Sequence, residues 1–507
     1  MMITEVSVSD KVESLVDAAQ KLDEYLHAAV KEGKSLHEVE TAALGFALEM
    51  GRRGVEMFIQ GQGNGDLGPT IEAETGTLFR SEEPRDRTVR TVFGKHAFSA
   101  YVYAVDTKRK IELRPIDARM SLPEGNASYL LEEFCQLFCV EQAFGKAQHV
   151  IEKVLRQKIP VDSLERINRR VAEQAEGFVE GLAAPPSDEE GELLVATADG
   201  KGIPMIRPEP TAEPAFARSE YPGNRRMATL AGVYSVDRFQ RTAEDVVAAL
   251  FREEKPSEAA DRPRPCHKRV IGRLPHTYDE DDGDPTVVSG TIEAFAWASQ
   301  EVCRRRKEGQ PLLLLCDGQE SLWDAGKLCL DGENQKTINI LDILHVATYV
   351  WLAARAFCGS RDADAKAFAR ERMLRILQGN VRGVIRGLRR MATERGLKGQ
   401  PARDIQKVCG YFEKNRARMR YAEYLANGYP IASGVIEGAC RNLAKDRMER
   451  SGMRWLEPGA QAMLHVRGLH VSDLWDDFQT KRMATDLERL HPHRNLIQNY
   501  VPCVLAA

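Results

Sequence analysis

At 507 residues the chain exceeds a single hydrophobic core, and about three domains is the natural prior. Hydrophobic content of 43% and charged content of 29% fit a soluble globular protein; no run of 18 or more apolar residues argues for a membrane span, and the acidic start (Glu5, Asp10, Glu13) is not a signal peptide. The formal charge of −4 hides an asymmetry: residues 361–454 hold 22 Lys and Arg against 10 Asp and Glu, a local +12 that suits a polyanion.

In chain order, 9–60 places apolar residues at helical spacing, including Val12, Leu15, Val16, Leu22 and Leu26, then Val39, Ala42, Leu44 and Leu48. A glycine-rich stretch from Gly61 to Gly68 closes this helical region, 1–68. Next, 88–93, 100–105 and 111–113 read as strands, with a turn at 106–108, so 69–127 is expected to be a small antiparallel β module. The pattern is helical again over 128–182. A helix over 142–155, a break at Lys158-Ile159-Pro160 and a second helix opening at Asp162-Ser163 resemble a helix-turn-helix. Its Arg166, Arg169 and Arg170 are candidate DNA contacts, although any two short helices joined by a proline turn look alike.

A Pro- and acid-rich linker, 183–191, precedes alternating strands and helices. Strands are expected at 193–199, 228–236, 312–317 and 337–341, and helices at 242–251, 292–306, 320–328 and 344–357. The stretch 254–290 reads as an irregular insert, and its Cys266, His267 and His276 make a poor zinc set because adjacent ligands rarely complete a tetrahedron. An early hairpin followed by strand–helix alternation predicts an α/β core, a mixed sheet with flanking helices, occupying 183–358 and resuming at 429–507. Between them 359–428 reads as an all-α basic insertion outside the sheet. There Arg382, Arg386, Arg389 and Arg390 recur at one-turn spacing, as a phosphate-tracking surface requires. The ten cysteines form no Cys-x-x-Cys pair, which suits reduced thiols in a cytoplasm.

Three acids stand out within this frame. Two apolar strands end in Asp199-Gly200 and Asp317-Gly318, and Glu437 lies between Gly434 and Gly438 at the head of a basic helix. An apolar strand ending in Asp-Gly is, alone, more often a turn. The order of all three, 118 and 120 residues apart, with the last among cations, points to phosphoryl transfer at an RNase H-like site. Such chemistry uses two Mg²⁺ or Mn²⁺ ions roughly 4 Å apart to clamp the attacking and leaving oxygens. Oxygen ligands suit these ions, and open α/β sheets place ligands at the carboxyl ends of their strands. Arg441, Lys445, Arg447, Arg450 and Arg454 are then candidate phosphate contacts. Trp455 is a candidate for stacking on an unpaired base, with core packing the plainer role.

The segments Asp199-Gly200-Lys201-Gly202-Ile203-Pro204-Met205, Leu315-Cys316-Asp317-Gly318 and the run from Tyr429 through Glu437-Gly438 to Trp455 resemble bacterial insertion-sequence transposases of the ISKra type. The resemblance covers roughly 190–470. It implies a DDE transposase with an RNase H-like core, Asp199, Asp317 and Glu437 as metal ligands, and His345 of Asp342-Ile343-Leu344-His345 beside the scissile phosphate. It further implies binding to terminal inverted repeats and target DNA, a homodimer or higher oligomer on DNA, and a nucleoid-associated location. Two other readings are a transposase relic that only binds DNA, and a nuclease or resolvase that cuts without joining. Cysteine pairs able to hold zinc near the N-terminus of some relatives have no counterpart here, since the first cysteine is Cys135.

Overall fold

The computed structural model describes residues 15–74, 76–106, 110–206, 225–253, 262–278, 286–332, 336–359, 361–450 and 452–502. The acidic run 279–282, the Pro-rich stretch 208–222 and most of the expected turn at 106–108 lie outside them. The chain forms two compact units: Met1–Ile167 with Asp477–Ala507, and Asn168–Asp476.

The first unit opens with helices α1 (Leu15–Glu32) and α2 (Leu36–Gln60). Ser35 and Glu38 form a reciprocal capping box that fixes the start of α2. Strands β1 (Thr70–Ala73), β2 (Gly76–Arg80) and β5 (Tyr103–Ala104) make one antiparallel sheet, and β3 (Arg85–Thr91) with β4 (Gly94–Ala100) a hairpin. The expected strand over 100–105 shrinks to two residues. Its place is taken by β4, whose Lys95, His96 and Ser99 disguise a strand that pairs along its whole length. Helices α3 (Pro115–Arg119), α4 (Tyr129–Glu141), α5 (Phe144–Leu155) and α6 (Val161–Glu180) follow. Arg156, in a left-handed conformation, ends α5, so a helix pair stands where the helix-turn-helix was expected; the division between the units falls within α6.

The sheet of the second unit runs in the order β12-β11-β6-β7-β8. β6 (Leu193–Pro204), β7 (Arg225–Val236) and β8 (Cys266–Arg273) are antiparallel, while β11 (Leu312–Cys316) and β12 (Ile338–Leu341) lie parallel to β6. All five side chains of β11 are buried, as befits a strand covered on both faces. Strands β9 (His276–Tyr278) and β10 (Thr286–Val288) form a separate hairpin. The stretch read as an irregular insert therefore supplies the edge strand β8. Cys266-His267-Lys268-Arg269 conceals it in the sequence, because Arg269 faces inward onto the fully buried Glu301, at 2.9 Å.

Helices α7 (Ala243–Leu250), α8 (Gly290–Arg305), α9 (Glu320–Leu330) and α10 (Ile343–Cys358) complete the layers. Beyond them α11 (Asp362–Leu377), α12 (Val381–Glu394), α13 (Gly399–Asn415) and α14 (Tyr421–Ala426) form the expected all-helical block. The block does not carry a core of its own. Met373, Ile376, Ile385, Val408 and Phe412 join Val350, Ala353 and Phe357 of α10 in one continuous core with the sheet. After α15 (Gly434–Ala439) the chain takes a wide π-helical turn, Cys440–Lys445, then α16 (Asp446–Met448) and α17 (Glu457–Val471). Helix α18 (Trp475–Leu490) carries the C-terminal stretch into the first unit. There Arg482 pairs with buried Glu132, and the Tyr129 hydroxyl donates to Asp486 at 3.0 Å. The tail of the expected span 429–507 therefore belongs to the first unit; long-range buried pairs leave no local pattern. Among the described residues no helix is long and apolar enough to cross a membrane.

Candidate active site

β6 and β11 pair in parallel as far as Ala198 and Cys316, so Asp199 and Asp317 follow at the same end of adjacent strands. β12 runs beside β11 to Leu341, and Asp342 comes next, its N–H donating to the Cys316 carbonyl at 2.9 Å. β11 and β12 thus each deliver an acid just past their last residue. Asp199, expected at a strand end, instead lies within β6 at the point where its pairing with β11 stops and the strand runs on against β7 to Pro204. Glu437 enters from α15, which packs on β6 and β7. The structure brings two of the expected residues, His345 and Glu437, together with Asp342, which was not expected as a ligand: ligand atoms of the three lie within 4.8 Å of one another.

Asp342 is fully buried and caps α10. Its Oδ1 accepts from the backbone N–H groups of Leu344 (3.0 Å) and Ser433 (3.2 Å). Its Oδ2 accepts from Ser433 Oγ (2.6 Å) and bonds His345 Nδ1 (3.0 Å). A carboxylate offers about four lone-pair positions, and all four are engaged. Asp342 is therefore a strut and not an open ligand: it ties the end of β12 and the start of α10 to the residue preceding α15. It also directs the Nδ1 proton of His345 towards itself, leaving Nε2 as the available atom of that half-buried ring.

Glu437 is free to bind, since its carboxylate accepts no hydrogen bond among the described residues. Asp317 uses one oxygen to accept from Gln319 N–H at 2.8 Å. Asp199 accepts from Gly200 N–H at 2.7 Å and from the Cys440 thiol at 3.1 Å. Gly318 is required where it stands: a Cβ there would lie 2.3 Å from the ring of Tyr411, which is stacked on Tyr349 at 3.8 Å.

The electrostatics report crowded anions. Burial pushes the Asp317 carboxyl above its ordinary range; Asp199 and Asp342 add to that, while Gln319 and His345 oppose it. Burial also raises Glu437, helped by Asp342 and Asp199 and resisted by His345. The hydrogen bond to Asp342 holds the His345 imidazolium above its usual pKa, against burial and with support from Asp317 and Asp199. Carboxylate oxygens with one imidazole nitrogen form a donor set suited to a hard divalent cation such as Mg²⁺ or Mn²⁺.

The expected cationic contacts separate into two groups. Arg166, Arg169, Arg382, Arg386, Arg389, Arg390, Arg441, Lys445, Arg450 and Arg454 are exposed. Several are engaged locally: Arg166 with Asp162, Arg389 in a fork on Glu413, Arg390 with Glu394, and Arg441 with Asp446. Arg170 and Arg447 do not face solvent as expected. Nε and Nη2 of Arg170 are closed off. Arg447 is fully buried, its guanidinium 5.0 Å over the ring of Trp455. Trp455 itself is 7% exposed and its indole N–H donates to Met448 O at 3.1 Å, which makes it part of the core and not a base platform. Ser433 and Cys440 were missed, since each bonds an acid distant in the sequence, as was Tyr411, whose ring packs against Gly318; only the Asp-x-x-His spacing of Asp342 and His345 was visible.

No protein-family model matches the chain, and neither does any curated protein. Among solved structures it is similar to the Drosophila P element transposase strand transfer complex, with 10% identity, a TM-score of 0.23, and 71% of this chain and 84% of that chain covered. A superposition this loose carries no argument.

Proposed function

We propose that the chain is a DNA transposase of the DDE type, with Asp199, Asp317 and Glu437 as the acids that hold divalent metal. The observation that supports this reading is that Asp199, Asp317 and Asp342 stand on or just past three adjacent parallel strands, with His345 and Glu437 beside Asp342. Asp199, Asp317 and Glu437 lie 118 and 120 residues apart in sequence, which argues against a local turn. An antiparallel hairpin followed by strand–helix alternation is also the architecture that an RNase H-like core needs.

The open oxygens of Glu437 and Asp317, together with Asp199, would hold Mg²⁺ or Mn²⁺. When bound, such ions make a water or a 3′-hydroxyl nucleophilic and stabilise charge on the phosphoryl group. The chain's own contribution is placement. Asp342 holds His345 by Nδ1, which leaves Nε2 as the ring's second donor; protonated, it would donate to a phosphate oxygen or to the departing oxygen. End cleavage breaks one phosphodiester with water and frees a 3′-hydroxyl. Strand transfer then exchanges that hydroxyl for one in target DNA, one bond formed for one broken. Holding two DNA ends calls for at least two copies of the chain, with the exposed arginines of α6, α12 and the segment after Glu437 as the phosphate-contacting surface.

The test is cleavage and strand transfer on end DNA, intact and pre-cleaved, with Mg²⁺ or Mn²⁺. Wild type should cut and join. Asp199→Asn should lose both by at least about a hundredfold, by analogy with loss of a central electrostatic contact, while binding end DNA as wild type does. Cutting without joining would assign a nuclease, DNA binding alone a relic, and a fully active Asp199→Asn would remove that acid from the site.

A further inference from the structure

The helix that carries Glu437 is flanked by two residues that hold acids: Ser433 before it bonds Asp342, and Cys440 after it bonds Asp199. Cys440 lies three residues after Glu437, is 7% exposed, and its thiol donates to Asp199 Oδ2 at 3.1 Å. The other oxygen of Asp199 is taken by its own neighbour, Gly200 N–H. Nothing in β11 fixes this carboxylate, since pairing of β6 with β11 ends one residue earlier.

The backbone around Cys440 departs from an α-helix at this point. The π-helical turn Cys440–Lys445 begins at the thiol, and Asp446 N–H closes it by donating to Arg441 O, five residues back. Turns of this kind carry an extra residue and concentrate at functional sites. The consequence can be read in the burial pattern. Ile436, Cys440, Ala444 and Met448 are buried at intervals of four, as are Ala439, Leu443 and Arg447. A regular helix advances 3.6 residues per turn, so a spacing of four would swing steadily off the sheet. The wide turn absorbs that drift. Leu443, Ala444, Arg447 and Met448 can then pack inward while Cys440 stays turned to Asp199.

We infer that Cys440 is a positioning residue for Asp199, and that the π-helical turn exists to present it. The thiol fixes the rotamer of an acid that has no other side-chain hydrogen bond among the described residues, and it sets Asp199 against Glu437 because Cys440 and Glu437 lie within one helical turn. This inference rests on the proposed metal-binding role of the acids. It goes beyond that role by assigning the orientation of one acid to a residue that binds nothing itself.

Mn²⁺ binding to the full-length protein without DNA, followed by electron paramagnetic resonance, tests it directly. Cys440→Ala should weaken Mn²⁺ binding by about tenfold, the usual penalty for losing a partner that orients a ligand. Cys440→Ser keeps a donor at that position and should stay within about threefold of wild type on the same basis. Thermal melts of both variants show whether the fold survives. If Cys440→Ala binds as wild type does, or if both variants weaken equally while melting normally, the thiol merely fills space and the inference is overturned. Asp199→Asn separates the two levels. If wild type and Asp199→Asn bind Mn²⁺ alike, the metal-holding role of Asp199 fails first; if only Asp199→Asn and not Cys440→Ala is impaired, the positioning role alone fails.

Discussion

An amide cannot replace the Asp342 carboxylate. Four donors converge on it, and asparagine would present two acceptor positions and two N–H groups to them, leaving two donors facing hydrogens in a fully buried site. Asp342→Asn should therefore cost about 3 kcal/mol, the range for breaking a buried charged partnership. The loss should also depend on pH. His345 titrates above its ordinary 6.5 in the folded protein because of Asp342. The stability that their pairing supplies is fully present below the unfolded value and disappears as pH rises through the folded one. The gap in melting temperature between wild type and Asp342→Asn should accordingly narrow from mildly acidic to alkaline buffer. A gap of constant size would show that His345 does not depend on this carboxylate. At this scale the sequence was informative on Asp317, which follows the last residue of an apolar strand as expected, but not on Asp199, which stands inside β6 because that strand runs on against β7 to Pro204. It was mute on Ser433, since a hydroxyl that bonds a carboxylate 91 residues away leaves no spacing to read.

The elements that carry the acids were recognisable from apolar runs, and β11 and α10 stand where those runs predict them, while β6 starts as expected but runs through Asp199-Gly200 to Pro204. β8 was not recognisable, because the strand compensates an inward arginine with a buried glutamate instead of alternating apolar and polar residues. Its place under the start of α8 is open to a direct test. A Cβ on Gly290 would stand 2.7 Å from Arg273 O and 2.8 Å from Leu274 C, backbone atoms that cannot move alone. Gly290→Ala should destabilise the protein by about 1–3 kcal/mol through overpacking. Gly387 on α12 has nothing within 4 Å of such a Cβ. There alanine should stabilise by up to about 1 kcal/mol from helix propensity alone. Chemical denaturation of the two variants reads both values. A stabilised Gly290→Ala would mean that α8 does not seat on the end of β8. The π-helical turn had a signal after all, in the four-residue spacing of Ile436, Cys440, Ala444 and Met448, which a search for 3.6-residue periodicity passes over.

Across the whole molecule, charge is the property that sequence reports most faithfully, because it needs no contact to be counted. Most of the cations over 361–454 stay exposed after folding, while Arg447 is buried and Arg370, Arg372 and Arg418 are half-buried. Domain limits fared differently. The Pro-rich linker looked like the boundary, whereas compactness divides the chain inside α6 and returns 477–507 to the first unit through buried pairs such as Arg482 with Glu132. On α12 the two kinds of information meet. Arg382, Arg386, Arg389 and Arg390 are all exposed, while Val381, Val384, Ile385 and Leu388 hold the opposite face in the core. The pairs Arg389–Glu413 and Arg390–Glu394 join exposed side chains, so water screens them and a phosphate can displace them at little cost. If this face tracks a DNA backbone, replacing the four arginines with alanine should leave melting almost unchanged and weaken DNA binding. The slope of log affinity against log salt should fall by about 3 to 4, since each lost phosphate contact removes about 0.9 of released counterion. Fluorescence anisotropy with labelled duplex DNA over a range of salt measures that slope. An unaltered slope, with the fold intact, would assign these arginines to solubility and leave the DNA path to other surfaces of the chain.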